Sequence, residues 1–399
     1  MTATGVVPSS DQMLDSGPVQ RRRMRAAITR GCSPTEITDV MLEGPRAGEV
    51  LVRIAAAGVC HSDVHMADGH LGRERWPIVL GHEGAGVVES VGAGVQHVRQ
   101  GDRVAFCFVP PCRTCPACVA GRFHLCELAA AHAGAGTLFD GTSRLSELSG
   151  TPLKHFNFVS CFAEYAVVPA AAAVPVVDEL PLWQAALLGC AVLTGVGAVR
   201  NTADVRVGET VVVIGCGGVG LQVVAGARLA GAGQIIAVDL QQQNLDRARL
   251  HGATHVVDAG ADDLAAEILA LCPGGVDHAF EVVGRSETIR LAWDVLRPGA
   301  TAVVVGLAPR GVEVSLPAIE FLSEKGIKGS CYGSVNAAVE LPRLTQMAAD
   351  GRLALRDAVS HITDLDGIEA AFERLRRGEG ARTVVIIDAD AAGDPELPR

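Results

Sequence analysis

Five of the chain's twelve cysteines, Cys107, Cys112, Cys115, Cys118 and Cys126, fall within 20 residues. Four of them, spaced Cys112-x2-Cys115-x2-Cys118-x7-Cys126 among Pro110, Pro111 and Pro116, offer four thiolates to a single ion. Four sulfurs around a tetrahedral cation make the closed, structural type of zinc site. Iron–sulfur clusters use the same ligands, but this spacing differs from the ferredoxin runs and no companion cluster accompanies it. Zinc is therefore the expected metal. A filled shell leaves no open position, so this loop is expected to organise structure and not to catalyse.

Two further polar clusters, Cys60-His61-Ser62-Asp63 and Gly81-His82-Glu83-Gly84, each close an apolar strand, and Cys190 stands in Leu188-Gly189-Cys190. Singly, Cys60 or His82 is as readily a buried structural residue as a ligand. Together, Cys60, His82 and Cys190 compose a three-ligand Cys₂His set with a fourth position open to water, the arrangement of a catalytic zinc. Their separations of 22 and 108 residues leave spacing alone undecided between these readings. A third motif, Gly215-Cys216-Gly217-Gly218-Val219-Gly220, follows the apolar run 211–214 and opens a helical segment. In that context the glycines permit a tight turn and close approach of the backbone to a pyrophosphate at a helix N-terminus. Asp239 ends the next strand, 19 residues after Gly220, placed to accept hydrogen bonds from an adenosine ribose. No Arg or Lys follows it until Arg247, so a 2′-phosphate would meet an acidic group without a counter-charge. NAD is expected in preference to NADP.

These motifs need a scaffold, and the chain of 399 residues is too long for one core. Short apolar strands at 50–57, 86–91 and 103–108 predict a β-rich first half. Between residues 211 and 305 the pattern alternates. Strand runs at 211–214, 235–238, 256–257, 279–282 and 302–305 are separated by helical periods at 219–229, 242–251, 264–271 and 287–296. That alternation predicts a doubly wound parallel sheet, so the fold class is α/β. Beyond 333 the pattern reads helix 337–349, helix 368–377, strand 383–387 and a polar tail. The stretch 127–160 reads as a loop longer than an ordinary connection.

Apolar residues at 49% and charged residues at 20% describe a folded globular protein, and 46 glycines against 15 aromatics favour Ala/Val/Gly packing. A net charge of −11 without a basic block is a poor match for nucleic acid. The apolar runs, such as 211–214, are strand-sized, so no membrane span is expected. Residues 1–20 are polar, Arg21–Arg23 follow, and no apolar secretory core is present, which predicts a flexible leader over 1–23 and a cytoplasmic protein.

On these residues the chain resembles the zinc-dependent medium-chain alcohol dehydrogenases over nearly all of 24–388. The matching motifs are Gly58-Val59-Cys60-His61-Ser62-Asp63, Gly81-His82-Glu83-Gly84-Ala85-Gly86, the four-cysteine loop, Leu188-Gly189-Cys190, the Gly215–Gly220 fingerprint and Arg382-Thr383-Val384. Asp140-Gly141-Thr142-Ser143-Arg144 and Phe162-Ala163-Glu164-Tyr165 are similar to the long-loop, dimeric branch, which implies a homodimer. The resemblance implies a Rossmann domain at 196–334 and a β-rich GroES-like catalytic domain at 24–195 and 335–399. It implies two zincs per chain, one held by Cys60, His82 and Cys190 and one by the cysteine quartet.

It further implies that a hydroxyl activated at the open zinc gives hydride to NAD, with Ser62 and His65 relaying the proton toward solvent. Asp63 is expected to fix the tautomer of His82, and Glu83 to lie beside the metal. Thr194 is expected near the nicotinamide and Arg382 at the pyrophosphate, with Gly215, Gly217, Gly218, Val219, Gly220 and Asp239 completing the cofactor site. His61 stands where many relatives carry a second phosphate-binding arginine, and Asn244 where they often carry a lysine. Phe108, Leu71 and Phe156 match positions lining the alcohol channel, which favours alkyl or aromatic primary alcohols and aldehydes.

A second reading is a thiol-dependent formaldehyde dehydrogenase acting on a hydroxymethyl adduct of glutathione or a comparable thiol. It ranks lower because Ala130 stands where the glutathione enzymes carry a carboxylate-binding arginine. A non-catalytic zinc- and NAD-binding protein is the reading of another class. Cys60, His82, Cys190, Ser62 and His65 occurring together argue against it.

Overall fold

The structure, a computed structural model, describes residues 21–31 and 34–395. Val211, Val212 and Val213 are buried with no polar alternation, as strands covered by helices on both faces must be. They lie in a six-stranded sheet ordered His255–Asp258, Gln234–Asp239, Thr210–Ile214, Val276–Glu281, Leu296–Val304, Gly326–Gly329. Every pairing in it is parallel. In chain order this is 3-2-1-4-5-6, the doubly wound arrangement whose strand order reverses between the first and fourth strands, where nucleotides bind. The helices fall at Gly218–Ala230, Gln242–His251, Leu264–Leu271 and Ser286–Asp294, matching the alternation read from the sequence. The sixth strand, Gly326–Gly329, was not anticipated.

Among the described residues the first half forms a five-stranded β-sheet and supplies five strands of a seven-stranded one, which Val359–Thr363 and Arg382–Ile386 complete. In the larger, Glu49–Val59 pairs antiparallel with Glu83–Val91, with Tyr165–Pro169 and with Arg382–Ile386, so the chain's last strand returns to the sheet that carries Cys60. The mixed α/β class with a β-rich part beside the parallel sheet is thus present.

Several expectations need correction. Residues 1–20 of the expected leader lie outside the described residues, but Arg21–Arg23 belong to the strand Arg21–Thr29, paired with Glu36–Glu43. The stretch 127–160 is not all loop. It holds a helix, Glu127–Ala135, and two short strands, Leu145–Glu147 and Lys154–His155. The apolar runs are also not all strand-sized. Leu182–Ala203 is a 22-residue helix, apolar and long enough to span a membrane by those measures, but 89% of its apolar window is buried inside the protein. It is a core helix, and it includes a π-helical turn, Leu188–Val192, that carries Cys190.

The five-stranded sheet contains a pH-sensitive buried group on its strand Lys154–His155. His155 is fully buried, and its Nε2 accepts from Arg144 N at 3.2 Å. Burial, with the Arg144 cation adding to it, pushes its pKa down to about 3 from 6.5. The unfolded chain therefore binds a proton that the fold refuses between those two values. Stability is full above pH 6.5 and is expected to fall as the pH drops below it, by up to about 1.4 kcal/mol per pH unit from this group. Denaturation measured from pH 7.5 to 4.5 should show a shallower slope in His155→Asn, and an unchanged slope would contradict the assignment.

Candidate active site

Cys60 and His82 come together because their strands pair: Gly58 sits opposite Glu83 in the register of Glu49–Val59 with Glu83–Val91. Cys60 then caps the helix His61–Ala67. Gly81 turns the chain into His82 at φ +93°, and a Cβ there would fall 2.4 Å from Phe162 N, so only glycine fits. Cys190 arrives from the core helix, which presses Gly189 against the backbone of Phe106. The Sγ atoms of Cys60 and Cys190 and a ring nitrogen of His82 lie within 4.8 Å of one another, all buried, and Cys190 Sγ is 3.4 Å from His82 Nε2.

Asp63 staples this group. Its fully buried carboxylate accepts from Cys60 N at 3.1 Å, from Gly81 N at 3.1 Å and from His82 Nδ1 at 3.2 Å. Occupying Nδ1 leaves Nε2 as the donor atom turned to the two sulfurs. Burial opposes charge on His82, but Asp63 and Cys60 outweigh it and raise its pKa to about 10, the mark of a strongly basic donor. Cys60 is held well below the usual thiol range, first by its hydrogen bond with Cys190, so the cluster carries a thiolate. Two soft sulfurs, one oriented imidazole and a buried setting fit zinc with one position open. Asp63→Asn should keep the fold while weakening zinc retention or turnover about 10–100-fold. Metal content after dialysis against a chelator, read beside the rate, checks this, and unchanged values for both would exclude the role.

Glu83 lies behind the cluster, fully buried, with neither carboxylate oxygen hydrogen-bonded. Its Oε2 is 3.0 Å from Arg382 NH2. Burial raises its pKa to about 7 against the pull of Arg382. Arg382 also donates to Val59 O at 2.9 Å, and a Cβ on Gly218 would lie 2.8 Å from its Nε. The guanidinium thus bridges the metal cluster and the glycine-rich turn. Ser62 Oγ is 3.9 Å from Cys60 Sγ, and His65 is one helical turn further on, half-buried. His61 is exposed, its ring 6.5 Å from that of His65.

The fingerprint turn sits at the reversal of strand order. Gly220 meets Gly215 O so closely that a Cβ would be 1.8 Å away. Asp239 braces the turn: its carboxylate accepts from Cys216 N at 2.7 Å, Gln241 N at 2.8 Å and Asn244 Nδ2 at 3.2 Å. Gly195, the residue after Thr194, packs on the helix that follows the turn: a Cβ there would be 2.7 Å from Val219 O.

Cys112, Cys115, Cys118 and Cys126 also converge within 4.8 Å. Cys112 Sγ accepts from Cys115 N at 3.3 Å, and Cys126 Sγ from Cys112 N at 3.3 Å and Ala129 N at 3.4 Å. Backbone donors aimed at sulfur stabilise thiolates, as a four-sulfur zinc site requires.

Phe108 and Phe156 both set their rings edge-on at 5.3 Å from His82, and Leu71 packs on the same apolar core. Phe108 is also one wall of a cavity of about 310 Å³ walled on another side by Leu125, Ala129, Ala130 and Ala133. Sequence reasoning missed Tyr332, whose ring lies tilted against Phe108 at 4.1 Å between centroids and whose hydroxyl donates to Gly189 O at 2.6 Å. It also missed His124 and Cys331 on the cavity wall. No local pattern marks these residues, because they reach the site from distant parts of the chain.

Comparison with known proteins agrees with this geometry. Residues 46–178 match the alcohol dehydrogenase GroES-like domain, and residues 218–349 match the zinc-binding dehydrogenase domain. The chain is 37% identical to the S-(hydroxymethyl)glutathione dehydrogenase of Paracoccus denitrificans over 374 residues, covering 92% of this chain and 100% of that protein. Among solved structures, an alcohol dehydrogenase zinc-binding domain protein from Burkholderia ambifaria superposes with a TM-score of 0.88 at 33% identity, over 92% of this chain and 100% of that one. Benzyl alcohol dehydrogenase from Acinetobacter calcoaceticus superposes at 0.86 and 29% identity, over 92% and 99%.

Proposed function

The chain belongs to the zinc-dependent medium-chain alcohol dehydrogenase family, and from that premise we propose that it interconverts a primary hydroxyl and an aldehyde with NAD as hydride acceptor. It is a zinc-containing NAD(P)-linked alcohol dehydrogenase. The observation that carries the reading is the buried convergence of Cys60, His82 and Cys190 within 4.8 Å, joined by Arg382 to the nucleotide turn. Zinc, when bound there, supplies the Lewis acidity that makes a hydroxyl acidic near neutral pH. Asp63 holds His82 in its donor tautomer. Ser62 accepts the substrate's proton and His65 carries it outward. Arg382 neutralises the pyrophosphate and keeps Glu83 beside the metal without a full opposing charge. Gly215, Gly217, Gly218, Val219 and Gly220 cradle the phosphates, Thr194 faces the nicotinamide, and His61 lies at the phosphate's outer side. Asp239 holds the adenosine ribose, with Asn244 fixing its carboxylate, and favours NAD over NADP.

For the substrate, similarity to an S-(hydroxymethyl)glutathione dehydrogenase supports a hydroxymethyl thiol adduct over the free alcohols that rank first on sequence. Such an adduct presents the same CH2–OH group as a primary alcohol, and loss of its hydride and proton gives an S-formyl thioester in place of an aldehyde, so the same residues act on it. A free alkyl or aromatic alcohol remains the second reading, supported by the apolar cavity: its lining contains Ala130 and no lysine or arginine, and so offers no cation for a carboxylate tail. Zinc-replete enzyme should be assayed by NADH absorbance with formaldehyde alone, formaldehyde plus a series of thiols, and benzyl and straight-chain alcohols, each with NAD and NADP. The adduct reading expects formaldehyde oxidation only when thiol is added. Rapid benzyl alcohol oxidation with no thiol effect would replace it with the second reading.

Residues 196–334 form the nucleotide domain in this account, and 24–195 with 335–399 the catalytic one. Homodimer formation is supported by the edge strand Gly326–Gly329, flanked by exposed Ile319 at 73% and Leu322 at 80%. A reducing, cytoplasmic setting is supported by two clusters of metal-ligating thiols that oxidation would destroy.

A further inference from the structure

Beyond His65 the structure places another imidazole. The helix His61–Ala67 ends at Asp68, and the turn at Gly69 (φ +80°) brings His70 back over the last helical turn, where its N donates to His65 O at 2.9 Å. The two side chains then meet: His65 Nδ1 and His70 Nδ1 are 3.1 Å apart, with ring centroids at 5.4 Å. Two nitrogens of the same kind can share this contact only if one carries hydrogen and the other does not. One ring donates from Nδ1, and the other accepts there and keeps its hydrogen on Nε2. His65 is half-buried and His70 is exposed, so the contact runs from the interior to water.

The surroundings favour onward transfer. Burial, then the charges of His61 and His70, lower the pKa of His65, while Cys60 and Asp68 act the other way. Asp68 is engaged by Arg376 at 2.7 Å, and Arg376 also holds Glu369 at 2.9 Å, both from the helix Ile368–Arg376 packed alongside. Charge on His65 is therefore disfavoured, with a second imidazole in contact to take the proton.

We propose that His70 is the outer member of the proton path, a positioning and proton-accepting residue that takes the proton from His65 and delivers it to solvent. The proposal rests on the role given to His65 above. In the oxidation direction the hydroxyl loses one hydride and one proton. The proton enters His65 at Nε2, the Nδ1 proton of His65 passes to His70 Nδ1, and the Nε2 proton of His70 leaves to water. One proton is released per hydride transferred.

The test compares His70→Gln, His65→Gln and the double variant with the parent, each checked for two zincs and an unchanged melting temperature. Single-turnover NADH formation is followed from pH 5.5 to 9 in a non-coordinating tertiary-amine buffer of varied concentration. His70→Gln is expected to be about 3–10-fold slower below pH 7, to recover as buffer concentration rises, and to approach the parent near pH 9. The double variant should be no slower than His65→Gln. A second readout needs no turnover. With ¹³C-labelled histidine, His70→Gln should move the titration of His65 to higher pH, since the His70 charge is one of the influences that lower it. A His70→Gln enzyme with the parent's rates, buffer dependence and His65 titration overturns the proposal. If His65→Gln alone is without effect, the His65 assignment itself fails.

Discussion

Cys60→Ser is expected to reduce turnover by at least about 10³-fold, equivalent to some 4 kcal/mol of transition-state stabilisation. A serine hydroxyl does not ionise near neutral pH, so the substitution removes one of two thiolate donors and leaves His82 and Cys190 with too few ligands to retain the ion. The fold should persist. Asp63 receives the Cys60 backbone N–H at 3.1 Å, so the helix His61–Ala67 keeps its cap without the sulfur. Zinc content should fall from two to about one per chain, with little change in melting temperature. Atomic emission, calorimetry and an NADH assay on one preparation read all three. Undiminished turnover would remove Cys60 from the catalytic cluster.

Cys126→Ser should show the opposite pattern, a large loss of stability. Cys126 Sγ accepts from Ala129 N at 3.4 Å as cap of the helix Glu127–Ala135, and from Cys112 N across the loop. The loop has little core of its own: Val119 and Leu125 are exposed, and Pro110, Pro111 and Pro116 supply no backbone donors. Metal binding is then the organising force, and its loss belongs to the few changes that exceed about 4 kcal/mol. The variant should keep about one zinc and melt about 5 °C lower or more. Because residues 124–133 wall the cavity beside Phe108, KM for bulky substrates should rise even while the Cys60 cluster stays loaded. Two retained zincs with an unchanged melting temperature would contradict a structural role.

The parts legible in the sequence are those whose chemistry is local. The glycine-rich turn, its preceding strand and Asp239 lie within 30 residues and follow one another in the fold as they do in the chain. The cysteine quartet is local in the same sense. Cys60, His82 and Cys190 are not. Their meeting depends on the register of Gly58 opposite Glu83 and on Gly189 packing against Phe106, neither of which has a sequence signature. Only the resemblance to a family joined them. The helix Leu182–Ala203 escaped notice because it is buried on nearly every side, so no polar face reveals a 3.6-residue period, and Gly189, Gly195 and Gly197 lower its propensity. The helix Glu127–Ala135 has a single large apolar residue, Leu128, among Glu, Ala, His and Gly, and so has no apolar stripe. The substrate ranking leaned on one residue, Ala130, whereas similarity to an S-(hydroxymethyl)glutathione dehydrogenase over 92% of the chain supports the reading ranked second.

The most direct measurement is anomalous X-ray scattering from crystals of the zinc-replete chain, collected just above and just below the zinc edge. Two peaks per chain are predicted, each vanishing below the edge. One should lie between Cys60, His82 and Cys190, about 2.3 Å from the sulfurs and 2.0–2.1 Å from the nitrogen, and the other among Cys112, Cys115, Cys118 and Cys126. A single peak at the cysteine quartet in a preparation that is fully active would contradict the account.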